Sequence, residues 1–167
     1  MEKSFSNCNK LISTFELVLK QKLKNKKVDD SYYTGVDLGT AYIVMVVLDK
    51  NKKPIAGRCQ FADVVKDGMV VDYIGAVEIV KTMKSEIEND LNCELINAAA
   101  AIPPGTELID GGAVKHVLQS AGFDVISVLD EPTAANEVLQ ITNGAIVDIG
   151  GGTTGISIFE DGNPVYI

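Results

Sequence analysis

The chain has 167 residues, 46% hydrophobic and 23% charged, enough to bury one well-packed core, or one core and the start of another. Its net charge of −8 argues against a nucleic-acid partner, because phosphate contacts need a Lys/Arg surface that this balance does not supply. Three cysteines, Cys8, Cys59 and Cys93, are an odd number without a CxxC pair, which points away from a disulfide framework or a zinc site. No segment reaches the ~18 consecutive apolar residues of a membrane span, and the first residues, "MEKSFSNCNKLISTFELVLKQ", carry polar groups throughout and no small-residue cleavage site. A cytoplasmic protein without membrane attachment is expected.

Residues 1–30 read as an amphipathic helix and tether. Leu11, Ile12, Phe15, Val18, Leu19 and Leu23 fall at helical spacing, and Lys20, Lys22, Lys24, Lys26 and Lys27 make its end basic. Such a helix either packs on its own domain or docks on a partner. Two β-rich runs follow, joined through a Gly turn and then through "DKNKKP", giving a three-strand meander. "DVVKDGMVVDY" reads as a solvated turn, since Asp63, Asp67 and Asp72 lack the spacing of a calcium loop.

Ile74, Val77, Val80, Met83, Ile87 and Leu91 recur every three or four residues, as on a helix with one buried face. "LINAAAAIPPG" is a buried strand stopped by Pro103 and Pro104. "AVKHVLQSAGF" is a helix closed by Gly122, and its His116, lacking Cys or acidic companions, reads as neither catalytic nor a metal ligand. The strand "DVISVLD" leads to the helix "EPTAANEVLQI", with Pro132 at its first position. Strand, glycine turn, strand, "EDGN" turn and a third strand close the chain. The expected architecture is α/β: a first domain over 31–143 with a mixed five-stranded sheet, then the first strands of a second domain over 144–167.

The closing strands repeat the opening ones. "TGVDLGTAYIVMVVLDKNKKPIAG" and "AIVDIGGGTTGISIFEDGNPVYI" share strand, Asp, apolar residue, Gly, Thr, strand, turn and strand. In each copy an aspartate stands at a strand end before glycines whose backbone N–H groups can converge on an anion, and the aspartate can hold a hydrated Mg²⁺. Either turn alone is equally a tight hairpin with a solvent-facing aspartate. Neither has the GKS/T of a P-loop or the GxGxxG of a dinucleotide fold.

"GVDLGTAYIVMVVLD", "VLDEPTAANEVLQ" and "VDIGGGTTGISIFEDG" resemble, in order, the first phosphate loop, connecting helix and second phosphate loop of the actin and heat-shock-chaperone ATPase superfamily, whose domains have a ribonuclease H-like fold. Within it, "FADVVKDGMVVDYIGAVEIV", "AIPPGT" and "LQSAGF" are similar to a chaperone-like family of bacterial ethanolamine utilisation. The resemblance implies ATP and Mg²⁺ as cofactors, with Asp37 and Asp148 positioning the metal through water. It implies phosphate contacts from Gly35, Gly39 and Thr40 on one side and from Gly150, Gly151, Gly152 and Thr153 on the other. Glu131 matches a glutamate near the phosphates and is the catalytic candidate, although a first-turn carboxylate favoured by the helix dipole accounts for it equally well.

Three departures weaken the expectation of hydrolysis. Ala41 stands where the heat-shock relatives have a second threonine, Gly155 stands where they have an aspartate, and no lysine aligns with their catalytic one. ATPase activity is therefore expected to be weak or absent. The resemblance further implies pathway enzymes or microcompartment proteins as partners, in a chaperone-like accessory role; a scaffold acting through protein contacts is the alternative. A small-molecule kinase would need a substrate-facing carboxylate that is not found. Ile146, Ile149, Ile156, Ile158, Phe159 and Val165 are expected to lack a complete core, leaving the C-terminal strands open to self-association.

Overall fold

The computed structural model describes residues 2–20, 31–106 and 111–166. Strands β1 (Tyr33–Leu38), β2 (Tyr42–Leu48) and β3 (Pro54–Phe61) form the antiparallel meander, and β6 (Asn97–Ile102) and β7 (Asp124–Asp130) add to it in parallel. The result is a mixed five-stranded sheet of order β3-β2-β1-β6-β7. β2 shows why it is a strand: Ile43, Met45 and Val47 alternate onto one fully buried face.

That face is covered by α2 (Tyr73–Leu91) and α3 (Gly111–Ser120). Asp72 caps α2 by accepting from the Gly75 N–H at 2.9 Å, and Asn92 ends it in the left-handed conformation with φ 51°. Val77, Val80, Met83, Ile87 and Leu91 are buried as their spacing requires. Ile74 is not: at 71% exposure it lies in the first turn beyond the reach of the sheet.

The opposite face carries α1 (Glu2–Lys20) and α4 (Glu131–Leu139). α1 packs on β3, where a methyl group placed on Gly57 would lie 2.6 Å from Phe15 Cε2 and 3.2 Å from Leu19 Cδ2. Its Cys8 thiol donates to the Val138 carbonyl of α4 at 3.0 Å. The N-terminal helix is thus seated on its own sheet. The tether, with Leu23, Lys22, Lys24, Lys26 and Lys27, lies outside the described residues.

The supposed solvated turn contains a small hairpin, β4 (Val65–Lys66) with β5 (Met69–Val70). Asp63, Asp67 and Asp72 are exposed as expected, but Val65 and Gly68 are buried, so the hairpin packs inward between them.

α4 begins at Glu131, one residue before Pro132, with Asp130 accepting from the Thr133 N–H at 2.8 Å. It leads to a second, three-stranded antiparallel sheet of β8 (Gly144–Ile149), β9 (Thr154–Glu160) and β10 (Asn163–Tyr166). The expectation of an uncovered sheet holds for one face only. Ile146 and Phe159 are buried on the face that α4 packs against, where the Ser157 hydroxyl donates to Asp130 Oδ1 at 3.3 Å. On the other face Val147, Ile149, Ile156 and Ile158 stand 54%, 77%, 47% and 41% exposed, brought together by the pairing of Val147 with Ile156.

Candidate functional site

The two glycine turns have the same construction. β1 and β2 pair from Leu38 and Ile43 outward, β8 and β9 from Ile149 and Thr154, leaving four-residue loops 39–42 and 150–153. Each loop is closed by an equivalent hydrogen bond, Gly39 N–H to the Tyr42 carbonyl at 3.0 Å and Gly150 N–H to the Thr153 carbonyl at 2.9 Å. The sequence repeat is therefore a repeat of backbone geometry. Asp37 and Asp148 occupy the same place in each copy, one residue before the strand ends.

Between the turns lies a cavity of about 190 Å³. Asp37, Gly39, Thr40, Glu131, Asp148, Gly150, Gly151 and Thr153 all line it, brought from β1, β8, the first turn of α4 and both loops. Gly35 does not: it sits within β1 opposite Val46. Gly152 does not line it either, and instead packs on Thr40, whose Cγ2 would lie 2.8 Å from a methyl group at 152.

Ala41 lines the cavity too, and Leu38, Tyr42, Val44, Gly68 and Pro103, which the sequence did not single out as site residues, complete the wall. Leu38, Ala41, Tyr42 and Val44 follow from the turn once its fold is known. Gly68, with φ 78°, comes from the tip of the β4–β5 hairpin, and "KDG" was the available signal.

The electrostatics are one-sided. Three carboxylates line the cavity, and no Lys or Arg among the described residues does. Burial pushes the Asp37 carboxyl up to about 6, helped by the nearby Asp148 charge. Burial also raises Glu131, to about 8, reinforced by its hydrogen bond to Asp148 and by the charges of Asp37, Asp148 and Asp130. Asp37 Oδ1 is buried without a hydrogen-bond partner. The carboxylates do not form a ready-made ligand cage among the described residues. They are a cluster of carboxyl groups lining the space between the two loops.

Fold and turn geometry together match a known family. The model of the MreB/Mbl protein family matches residues 55–167. The chain belongs to the MreB/Mbl family. It is 46% identical to the ethanolamine utilization protein EutJ of Salmonella typhimurium over 138 residues, 83% of this chain and 48% of that protein. The crystal structure of EutJ from Carboxydothermus hydrogenoformans matches with a TM-score of 0.84 at 45% identity, over 96% of this chain and 60% of that one. MreB5 of Spiroplasma citri bound to ADP shares the fold, with a TM-score of 0.61 at 22% identity over 81% of this chain and 50% of that one. The actin-like ATPase fold expected from the motifs is thus established. The chain spans about half the length of the curated relatives it matches. None of its described helices is long and apolar enough to cross a membrane.

Proposed function

We propose that this chain carries the phosphate-and-metal half of a nucleotide site in a chaperone-like accessory protein of ethanolamine utilisation. The observation that carries the reading is the convergence of Asp37, Asp148 and Glu131 between two loops closed by the same hydrogen bond. The residues fit a hydrated Mg²⁺: the unpartnered, buried Asp37 Oδ1 is an acceptor awaiting a donor, and a metal-bound water supplies one. Asp37 and Asp148 would hold that ion through water. Bound there, Mg²⁺ would offset the carboxylate charge that otherwise repels phosphate. Backbone N–H groups of the two turns would then receive the phosphate oxygens, with Thr40 and Thr153 at their lips.

Glu131 is the candidate general base; burial raises its pKa to about 8, and a cation held at Asp37 and Asp148 would favour its ionised form. With Ala41 and Gly155 in place, few groups are available to orient water or neutralise a transferring phosphoryl group, so hydrolysis is slow or absent. A cytoplasmic, microcompartment-associated setting with pathway enzymes or shell proteins as partners accords with the likeness to EutJ. Isothermal titration of Mg·ATP into this chain and into a full-length relative tests the reading. Metal-dependent binding to the longer protein supports it, and its absence there removes it.

One feature favours a second reading, a scaffold acting through protein contacts. Val147, Ile149, Ile156 and Ile158 form an open apolar face on the last sheet, a surface suited to association with another chain or with a second copy.

A further inference from the structure

β6 ends in a corner, Pro103–Pro104, that does more than stop a strand. Proline rings fix φ at both residues, and the corner is held closed by Thr106, whose hydroxyl and N–H both donate to the Pro103 carbonyl, at 2.6 and 3.3 Å. From this rigid base the Pro104 ring projects onto β9 of the second sheet. A methyl group placed on the buried Gly155 would lie 2.7 Å from Pro104 Cδ and 2.8 Å from Cγ, with Pro132 Cγ at 3.4 Å behind. Those first two distances are below any real carbon contact, and the obstructing atoms belong to a ring that cannot swing aside.

We propose that Pro104 is a positioning residue: its ring excludes every side chain from position 155 and, through that contact, sets where the second glycine turn stands relative to the first. Gly155 is registered opposite Asp148 in the β8–β9 ladder, so the Pro104 contact bears on the strand pair that presents that carboxylate. The ring therefore acts across the boundary between the sheets, although Pro104 does not itself line the cavity. A carboxylate at 155 cannot be installed by one substitution, because the space it needs is filled from the first sheet. The inference is steric and stands whether or not the site takes a metal and a nucleotide.

The test uses the whole 167-residue chain as Pro104→Ala, Gly155→Ala and the double variant. Overpacking at 155 should lower the thermal midpoint by about 5 °C in the Gly155→Ala protein. Removing Cγ and Cδ at 104 should restore it, leaving the double variant near Pro104→Ala alone. Amide exchange adds a local readout: Pro104→Ala should quicken exchange over 150–154 about tenfold while residues 76–91 stay unchanged. If Gly155→Ala fails to fold and the double variant folds, the proposal gains the same support. Additive losses, a double variant that fails where Pro104→Ala folds, or exchange over 150–154 that is unmoved by Pro104→Ala would overturn it.

Discussion

Glu131, half-buried at the start of α4, hydrogen-bonds to Asp148 of β8, and burial first, then that bond, holds its proton up to a pKa of about 8. The native protein therefore binds a proton between its unfolded value of 4.5 and about 8 that the unfolded chain does not. Asp37 adds to this over the lower window, from 3.8 to about 6. For both groups the folded pKa is raised, so their contribution favours the native state at low pH and is lost as pH rises through these ranges. Urea unfolding at pH 5, 6.5 and 8.5 should show this decline, and Glu131→Gln should flatten it above pH 6. An unchanged slope in the variant would remove Glu131 as its source.

The metal role assigned to Asp148 separates two kinds of binding. In a full-length relative, replacing the matching aspartate with Ala should weaken Mg²⁺-dependent nucleotide binding more than Mg²⁺-independent binding. In this chain, Mg·ATP should bind weakly or below detection, because a cavity of about 190 Å³ accommodates phosphates and no nucleoside. Equal losses in the first experiment, or submillimolar affinity in the second, contradict the assignment.

The seat of α1 depends on a missing side chain. Gly57→Ala would drive a methyl group into Phe15 and toward the Met45 carbonyl, 3.0 Å away. Stability should fall by roughly 1–3 kcal/mol, and the amides of residues 5–20 should exchange faster. Unaltered exchange there would mean that the helix is not anchored at β3.

Charging the open face of the last sheet tests its adhesiveness. Sedimentation of the wild-type chain should show concentration-dependent self-association, and Ile149→Lys with Ile156→Lys should abolish it. A monomeric wild type whose residues 144–166 exchange as slowly as 33–102 would sink the idea.

How much of this was legible beforehand depends on the range of the interaction. The two glycine turns, the strands beside them and the acids at their ends are local in sequence, and their repetition made them readable. Gly68 and Pro103 were not, because a hairpin tip and a strand's end become cavity wall only when tertiary packing brings them to the turns. Ile74 carries the right period and still faces solvent, since periodicity says which residues share a stripe and not how far the sheet extends beneath it. The strands of the last sheet predict no complete core for it. The buried Phe159 shows that α4, which precedes it in the chain, covers one side, a long-range contact with no signature in the strands themselves.

α4 is a rod of nine residues, about 13 Å long, gripped at both ends. Glu131 at its front stands in the cavity, and the Val138 carbonyl near its rear is held by Cys8 of α1. A rod pivoting on its middle moves its two ends in opposite directions. Glu131 and the seat of Val138 on α1 belong to one short helix, so a tilt of α4 at the carboxylates would be felt at the Cys8 contact.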